Sequence, residues 1–304
     1  MSFAVFWPKG AGSWFDKRTV LSMAAMSFPV FISLSLDQVT ILIGTFLGSS
    51  FPEGAISHLN YAQRLMLMFS SVFALIIAYV LFPYLTESIV ANRVAEARRF
   101  MALAIIAVLL LSAPLLVISI VMSEALISFV FQRGAFDQSD AMVTGRILTL
   151  FAPVIVLAGL REVLNRLFLA LQQTGALLIF SALAMLTNVF ASVHFSREIG
   201  LEGIALGAAC GAFVYVAAQV ILIIVRHRNL LHSDLPMWLG LITVASLTVA
   251  LVALWLGEQL FFDIARLDFV VDAFIVIAVF GLTIAVPMLA FKRLRMIFKT
   301  EQTT

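Results

Sequence analysis

Long apolar runs, broken by short polar connections, dominate this chain. Eight of them reach the roughly 20 residues that a helix needs to cross hydrocarbon: 20–47, 58–84, 99–122, 139–160, 175–195, 201–226, 237–257 and 270–291. The fourth contains Arg146, and its helical pattern continues to about 172. No long soluble domain or low-complexity linker separates the runs. The pattern predicts an all-α fold, a polytopic membrane helix bundle of about eight transmembrane helices. The last two runs stand apart, behind the basic connection from Arg226 to Asp234. The chain then divides into an N-terminal segment 1–19, a six-helix unit 20–230, and a segment 231–304 with two further helices and a basic tail.

The shorter features fit the same picture. Ser123 is placed to cap a short helix whose apolar residues Leu126, Ile127, Phe129, Val130 and Phe131 would lie on the outer membrane face. Gly134 can end that helix in the left-handed conformation. Pro29 falls in mid-run and predicts a bend, whereas Pro83 reads as a helix end. Gly203, Gly207 and Gly211 recur every four residues, a pattern that lets two membrane helices pack closely.

Composition narrows the class. The chain has 304 residues, 62% of them hydrophobic and 12% charged. Soluble domains average about 45–50% apolar and about 25% charged. The formal charge of +2 gives no reason to expect nucleic acid as a partner. Cys210 is the only cysteine, which excludes an intrachain disulfide and a cysteine-based metal cluster. His58, His194, His227 and His232 show no metal-ligand spacing, and no GxxxxGK[ST], HExxH or GxSxG string occurs. An enzyme is therefore not expected. The first apolar run is too long for the core of a cleavable signal and reads as a membrane helix.

The distribution of charge predicts orientation. Fourteen of the 19 Lys and Arg fall in alternate connections, including Arg161 and Arg166 after the fourth run. Arg133, Arg197 and Arg266 fall in the opposite set, and Arg64 and Arg146 lie within helices. By the positive-inside bias, both termini are cytoplasmic.

Polar residues inside the runs are the candidate chemistry. Asp37, with Gln38 beside it, lies about 17 residues, or roughly 26 Å, into the first run. Arg64 opens the uncharged stretch Leu65 to Phe82. A charge there needs a partner, a cavity or a route to the interface. Two readings stand: an Asp37–Arg64 pair, or an arginine snorkelling to the outer surface. Asn188 and Ser192, four apart, share a helix face at a depth similar to Asp37. They suit interhelical hydrogen bonding, or with Asp37 an oxygen-lined site for a hard monovalent cation.

Several strings then resemble one family. Asn60-Tyr-Ala-Gln-Arg-Leu65, Pro83-Tyr-Leu85, Gln132-Arg-Gly-Ala-Phe-Asp137 and Leu148 through Ala170-Leu-Gln-Gln-Thr174, followed by Asn188, are similar in order and spacing to signatures of the MurJ/MviN lipid II flippases of the MOP exporter superfamily. The resemblance covers about 20–230. It implies the second six-helix lobe of a fourteen-helix fold plus the final helix pair, with the first lobe absent from this sequence. A fragment, a truncated product or half of a split transporter would each look this way.

The resemblance implies a flippase of the bacterial inner membrane. It would carry undecaprenyl-diphosphate-linked peptidoglycan precursor between leaflets by alternating access, with no bond chemistry and no cofactor. Arg64 takes the place of a functional arginine and would hold the diphosphate, with Asp37 and Gln38 beside it as substrate-binding residues. Asp37, Asn188 and Ser192 match an ion site in some members, although Ser192 stands where a second acid is found. Met68-Phe69-Ser70-Ser71 also departs from a family stretch rich in Pro and Gly. Na+, H+ or the membrane potential would drive transport. The implied partners are the lipid-linked precursor, membrane lipids and a separate first-lobe chain. Two alternatives are an exporter of another lipid-linked oligosaccharide, such as an O-antigen or exopolysaccharide unit, and a non-transporting membrane scaffold.

Overall fold

The structure, a computed structural model, describes residues 17–230 and a few positions between 273 and 281. The predicted span 237–257 lies outside the described residues, as does nearly all of 270–291. Seven α-helices are described: α1 Lys17–Gly48, α2 Ala55–Val90, α3 Val94–Val121, α4 Ser123–Phe131, α5 Gln138–Ala170, α6 Thr174–Ile199 and α7 Glu202–Arg226, followed by a 3-10 turn Arg228–Leu230. The chain is thus an all-α membrane helix bundle, and five of its described helices are long and apolar enough to cross a membrane.

Local chemistry sets the start of α5 and the ends of α2 and α5. Asp137 caps α5 by accepting from the Ser139 and Asp140 amides at 2.8 and 3.1 Å. Asp140 returns the bond by accepting from the Asp137 amide at 3.0 Å, which completes a capping box. Beyond α2 and α5 the chain turns through Asn92 and Gln172, both with positive φ. There the Arg93 and Gln173 amides donate back to the carbonyls of Ser88 and Phe168, the double-bonded C-terminal turn of a helix.

Two predicted details are corrected. Met122, not Ser123, occupies the cap position of α4, and the Ser123 hydroxyl instead accepts from Thr149 of α5 at 3.0 Å. On α4, Leu126 and Ile127 are buried, Phe131 packs on Tyr61 and Phe136 with ring centroids 4.9 and 6.4 Å away, and Phe129 is 38% exposed. Pro83 also fails to end its helix, since α2 runs on to Val90.

The helices form two groups. α2, α3 and α5 pack around a continuous aliphatic core, with α4 against α5 and Leu65, Val108, Ile127, Ile147, Leu148 and Ile155 almost fully buried within it. α1, α6 and α7 form the second group, joined to the first mainly through α5 and α7. At the starts of α2 and α5, His58 links the helices through Thr144 at 3.0 Å and Asp140 at 3.6 Å. α1 rests on α6 and scarcely touches α2. Ser33 and Gly48 are the only buried residues of its stretch Ser27–Gly48, against thirteen in α3.

Candidate functional site

α5 has 33 residues, so it is about 50 Å long. That exceeds the roughly 30 Å of bilayer hydrocarbon. Arg161 and Arg166, expected in a connection, therefore lie on the second half of this helix. This relocation builds the site.

Arg161 donates to Asp37 of α1 across 2.5 Å. Its guanidinium also lies 4.2 Å from the centroid of the Tyr215 ring on α7, a cation–π contact. The Tyr215 hydroxyl donates to Asn165 Oδ1 at 3.0 Å, one helical turn along α5 from Arg161, and the Gln219 amide donates to the same oxygen at 2.9 Å. Three helices thus meet on one charged network. The ion pair is not sealed, for the Arg161 and Asp37 side chains remain 30% and 35% exposed. A second cation, Arg166, pairs with Glu162 at 2.5 Å and sits 4.8 Å from the Tyr79 ring centroid.

The predicted residues separate accordingly. The cation on Asp37 is Arg161 and not Arg64, because α1 rests on α6 and scarcely touches α2. Gln38 is exposed beside Asp37. Arg64 is exposed and has no ion-pair partner among the described residues. It shares a face of α2 with exposed Asn60, Leu67 and Met68, opposite the buried face of Leu59, Ala62, Leu65 and Met66.

Asn188 and Ser192 form another cluster. α1 and α6 are adjacent, as a joint site with Asp37 requires. Ser192, however, faces α7. Its hydroxyl donates to Asn188 Oδ1 at 3.2 Å and approaches the Ile204 carbonyl at 3.4 Å. A Cβ on Gly211 would stand 2.8 Å from the Ala184 carbonyl, and one on Gly207 would lie 2.5 Å from the Ser192 amide nitrogen. The glycine spacing thus brings α7 onto the backbone of α6. Among the described residues, no group of three or more His, Cys, Asp or Glu is placed to hold a metal ion.

Arg161 was legible only as a topological charge. The signal that could have found it is the helical pattern running on to about 172, which carries Arg161, Asn165 and Arg166 with it. Tyr215 and Gln219, four apart on α7, offered no signal beyond their polarity in an apolar run.

Comparison with known proteins covers most of the chain. The family profile described as Lipid II flippase MurJ matches residues 12–280. A probable lipid II flippase MurJ of Rhizobium tropici is 26% identical over 241 residues, covering 79% of this chain and 45% of that protein. Its counterpart in Buchnera aphidicola subsp. Baizongia pistaciae is 23% identical over 276 residues, covering 84% of this chain and 52% of that protein. The chain thus spans about half the length of these relatives. The solved structure "Lipid II flippase MurJ, inward closed conformation" shares the fold, with a TM-score of 0.73 and 19% identity over 91% of this chain and 56% of that one. A multidrug-resistance MATE transporter of the MOP superfamily, in an outward-facing conformation, also aligns, with a TM-score of 0.58, 10% identity, and 90% and 66% coverage.

Proposed function

The chain belongs to the MurJ family of lipid II flippases, a family of transporters and not of enzymes, and on that premise we propose that it forms one lobe of a flippase for a lipid-linked, diphosphate-bearing cell-wall precursor. The membrane would be the bacterial inner membrane, with both termini of the chain cytoplasmic. Moving Arg161 and Arg166 from a connection into α5 leaves the charge bias intact, since the remaining basic connections keep their side.

The observation that carries this reading is the half-open Asp37–Arg161 pair across α1, α5 and α7. A guanidinium in an apolar bundle needs an anion. Asp37 supplies one while no substrate is bound. A diphosphate offers more oxygens in the same fork geometry and competes for Arg161. Its arrival frees Asp37 and loosens α1, the least buried described span, from the rest of the lobe. Tyr215 holds the guanidinium plane, and Asn165 and Gln219 hold Tyr215. Arg64, on the open face of α2, gives the travelling head group a second cation. That face requires an opposing lobe, whether the same polypeptide or a second chain provides it.

Coupling follows from the same switch. For Asp37, Asn188 and Ser192 to hold Na+, Asp37 must first leave Arg161, so ion binding and substrate binding occur together. A proton on Asp37 would break the pair with the same result, and the membrane potential would act on the released charges.

The test is rescue of cells depleted of their own lipid II flippase, with this chain expressed alone and beside a first-lobe chain. Rescue is expected for the unmutated sequence. Arg161→Ala and Arg64→Ala should insert normally and fail to rescue. Normal rescue by Arg161→Ala removes the switch. No rescue by the unmutated chain under either condition overturns the assignment.

A further inference from the structure

A cavity of about 220 Å³ opens where the α2–α3 connection meets the end of α7. It lies far along the bundle from the His58 end and takes no part in the Asp37–Arg161 network. Its wall has two halves. Asn92, Arg226, His227 and Asn229 make one polar, while Ile89, Val94, Leu171 and Leu230 make the other apolar.

The charge around it is unbalanced. Glu87 and Glu96 are both taken by Arg93, at 2.7 and 3.0 Å. Arg98 is fixed on the Asn229 carbonyl at 2.9 Å, which ties the turn after α7 to α3. Arg226 and Arg228 have no carboxylate partner among the described residues. Arg93 offsets one of the two carboxylates, and Arg98, Arg226 and Arg228 together outweigh the other, so the surroundings of the mouth carry a net positive charge.

His227 stands in the same polar wall. Its Nε2 lies 3.0 Å from the Gln173 amide nitrogen, while Gln173 Oε1 is buried without a partner. Turning the amide over satisfies both groups, with His227 Nε2–H donating to Gln173 Oε1.

We propose that this cavity binds a phosphate-bearing anion, and that its apolar half selects an anionic phospholipid headgroup over free phosphate. The basic residues sit at helix ends, the level at which headgroups lie, and basic pockets between membrane helices suit such lipids. The site does not rest on the flippase reading, because it uses none of the residues assigned to transport.

The experiment uses the full chain purified in detergent, with its melting midpoint followed against added lipid. Short-chain phosphatidylglycerol should raise the midpoint saturably. Phosphatidylcholine should not, and inorganic phosphate should act only at concentrations about tenfold higher or more, because it leaves the apolar wall uncovered. Arg226→Gln should weaken the phosphatidylglycerol response about tenfold, as expected for loss of a charge-assisted contact. His227→Gln, which alters the polar wall beside Arg226, should weaken the same response several-fold. Arg197→Gln, at the other end of the bundle, should leave it unchanged. An equal response to phosphatidylcholine overturns the site. If phosphate saturates the response at the same concentration as the lipid, the lipid assignment falls. If Arg226→Gln does not fold, His227→Gln decides, and an unchanged phosphatidylglycerol response there also overturns the proposal.

Discussion

Two polar clusters lie within this bundle, and they are built in opposite ways. Along the α6–α7 seam, Asn188 and Ser192 face a row of glycines so close that added Cβ atoms would collide with the neighbouring backbone. Ser192 is 1% exposed, and its hydroxyl is spent on Asn188 and Ile204. Between α1, α5 and α7, Asp37 and Arg161 keep about a third of their side-chain surface open. The first cluster spends its polar groups on holding two helices together. The second holds opposite charges in a place where a competing ion can reach them. Intramembrane polarity alone does not separate a hinge from a weld; access to the polar atoms does.

That contrast can be broken most forcefully at the seam. Gly207→Val should separate α6 from α7, because its Cβ alone would meet the Ser192 side chain and amide. Overpacking a core costs about 1–3 kcal/mol even where side chains can yield, and backbone yields less. The expected result is loss of monodisperse protein in size-exclusion chromatography. A well-folded Gly207→Val protein would show that the seam is looser than its geometry implies.

The open pair should respond differently. Arg161→Ala should abolish transport while leaving the protein folded, because the abandoned Asp37 side chain is 35% exposed rather than sealed in the core. Asp37→Asn should have a smaller effect on transport, as it frees Arg161 for substrate but removes the resting partner. The joint reversal Asp37→Arg with Arg161→Asp restores the pair without restoring the cation at its place on α5. If that double variant transports normally, the pair matters only as a strut, and the proposed competition with a diphosphate is wrong.

A milder change sharpens the comparison from the seam side. Ser192→Ala removes the hydroxyl that donates to Asn188 within α6 and approaches the Ile204 carbonyl of α7, a loss of about 1 kcal/mol. If the seam is purely structural, melting shifts by a few degrees equally in Na+ and K+. If Asp37, Asn188 and Ser192 also hold Na+, the unmutated protein melts higher in Na+ and the variant loses that difference. Differential scanning fluorimetry in matched salts distinguishes the two.

Sequence reasoning did well where the period of apolar residues was long and unambiguous. The six runs between 20 and 226 all became helices, and the Gly203, Gly207 and Gly211 spacing correctly signalled close packing. It failed where a charge could serve two purposes. Arg161 followed the fourth run and looked like a cytoplasmic anchor, but a 33-residue helix carried it past the expected boundary and onto Asp37. The partner of Asp37 depends on how helices distant in sequence are arranged, and no local spacing encodes that.

The smallest expected effect lies at the start of α5, the helix that carries Arg161. Hydrogen bonds hold the Asp137 carboxyl below its ordinary value, first from the Ser139 hydroxyl and then from the Asp140 amide. A depressed carboxylate contributes stability that is complete above its unfolded pKa and is lost as pH falls through the folded one. Acidification should therefore loosen the first turn of α5 before the bundle core responds. Asp137→Asn keeps an acceptor for the cap but removes the charge. Hydrogen exchange of the Ser139 and Asp140 amides should rise on acidification in the unmutated protein and stay nearly flat in the variant, once the intrinsic pH dependence of exchange is removed. The Arg161 end of α5 should exchange alike in both. Faster exchange there would mean that the capped end and the charged network move as one rigid unit, and that the open pair is less free than its exposure suggests.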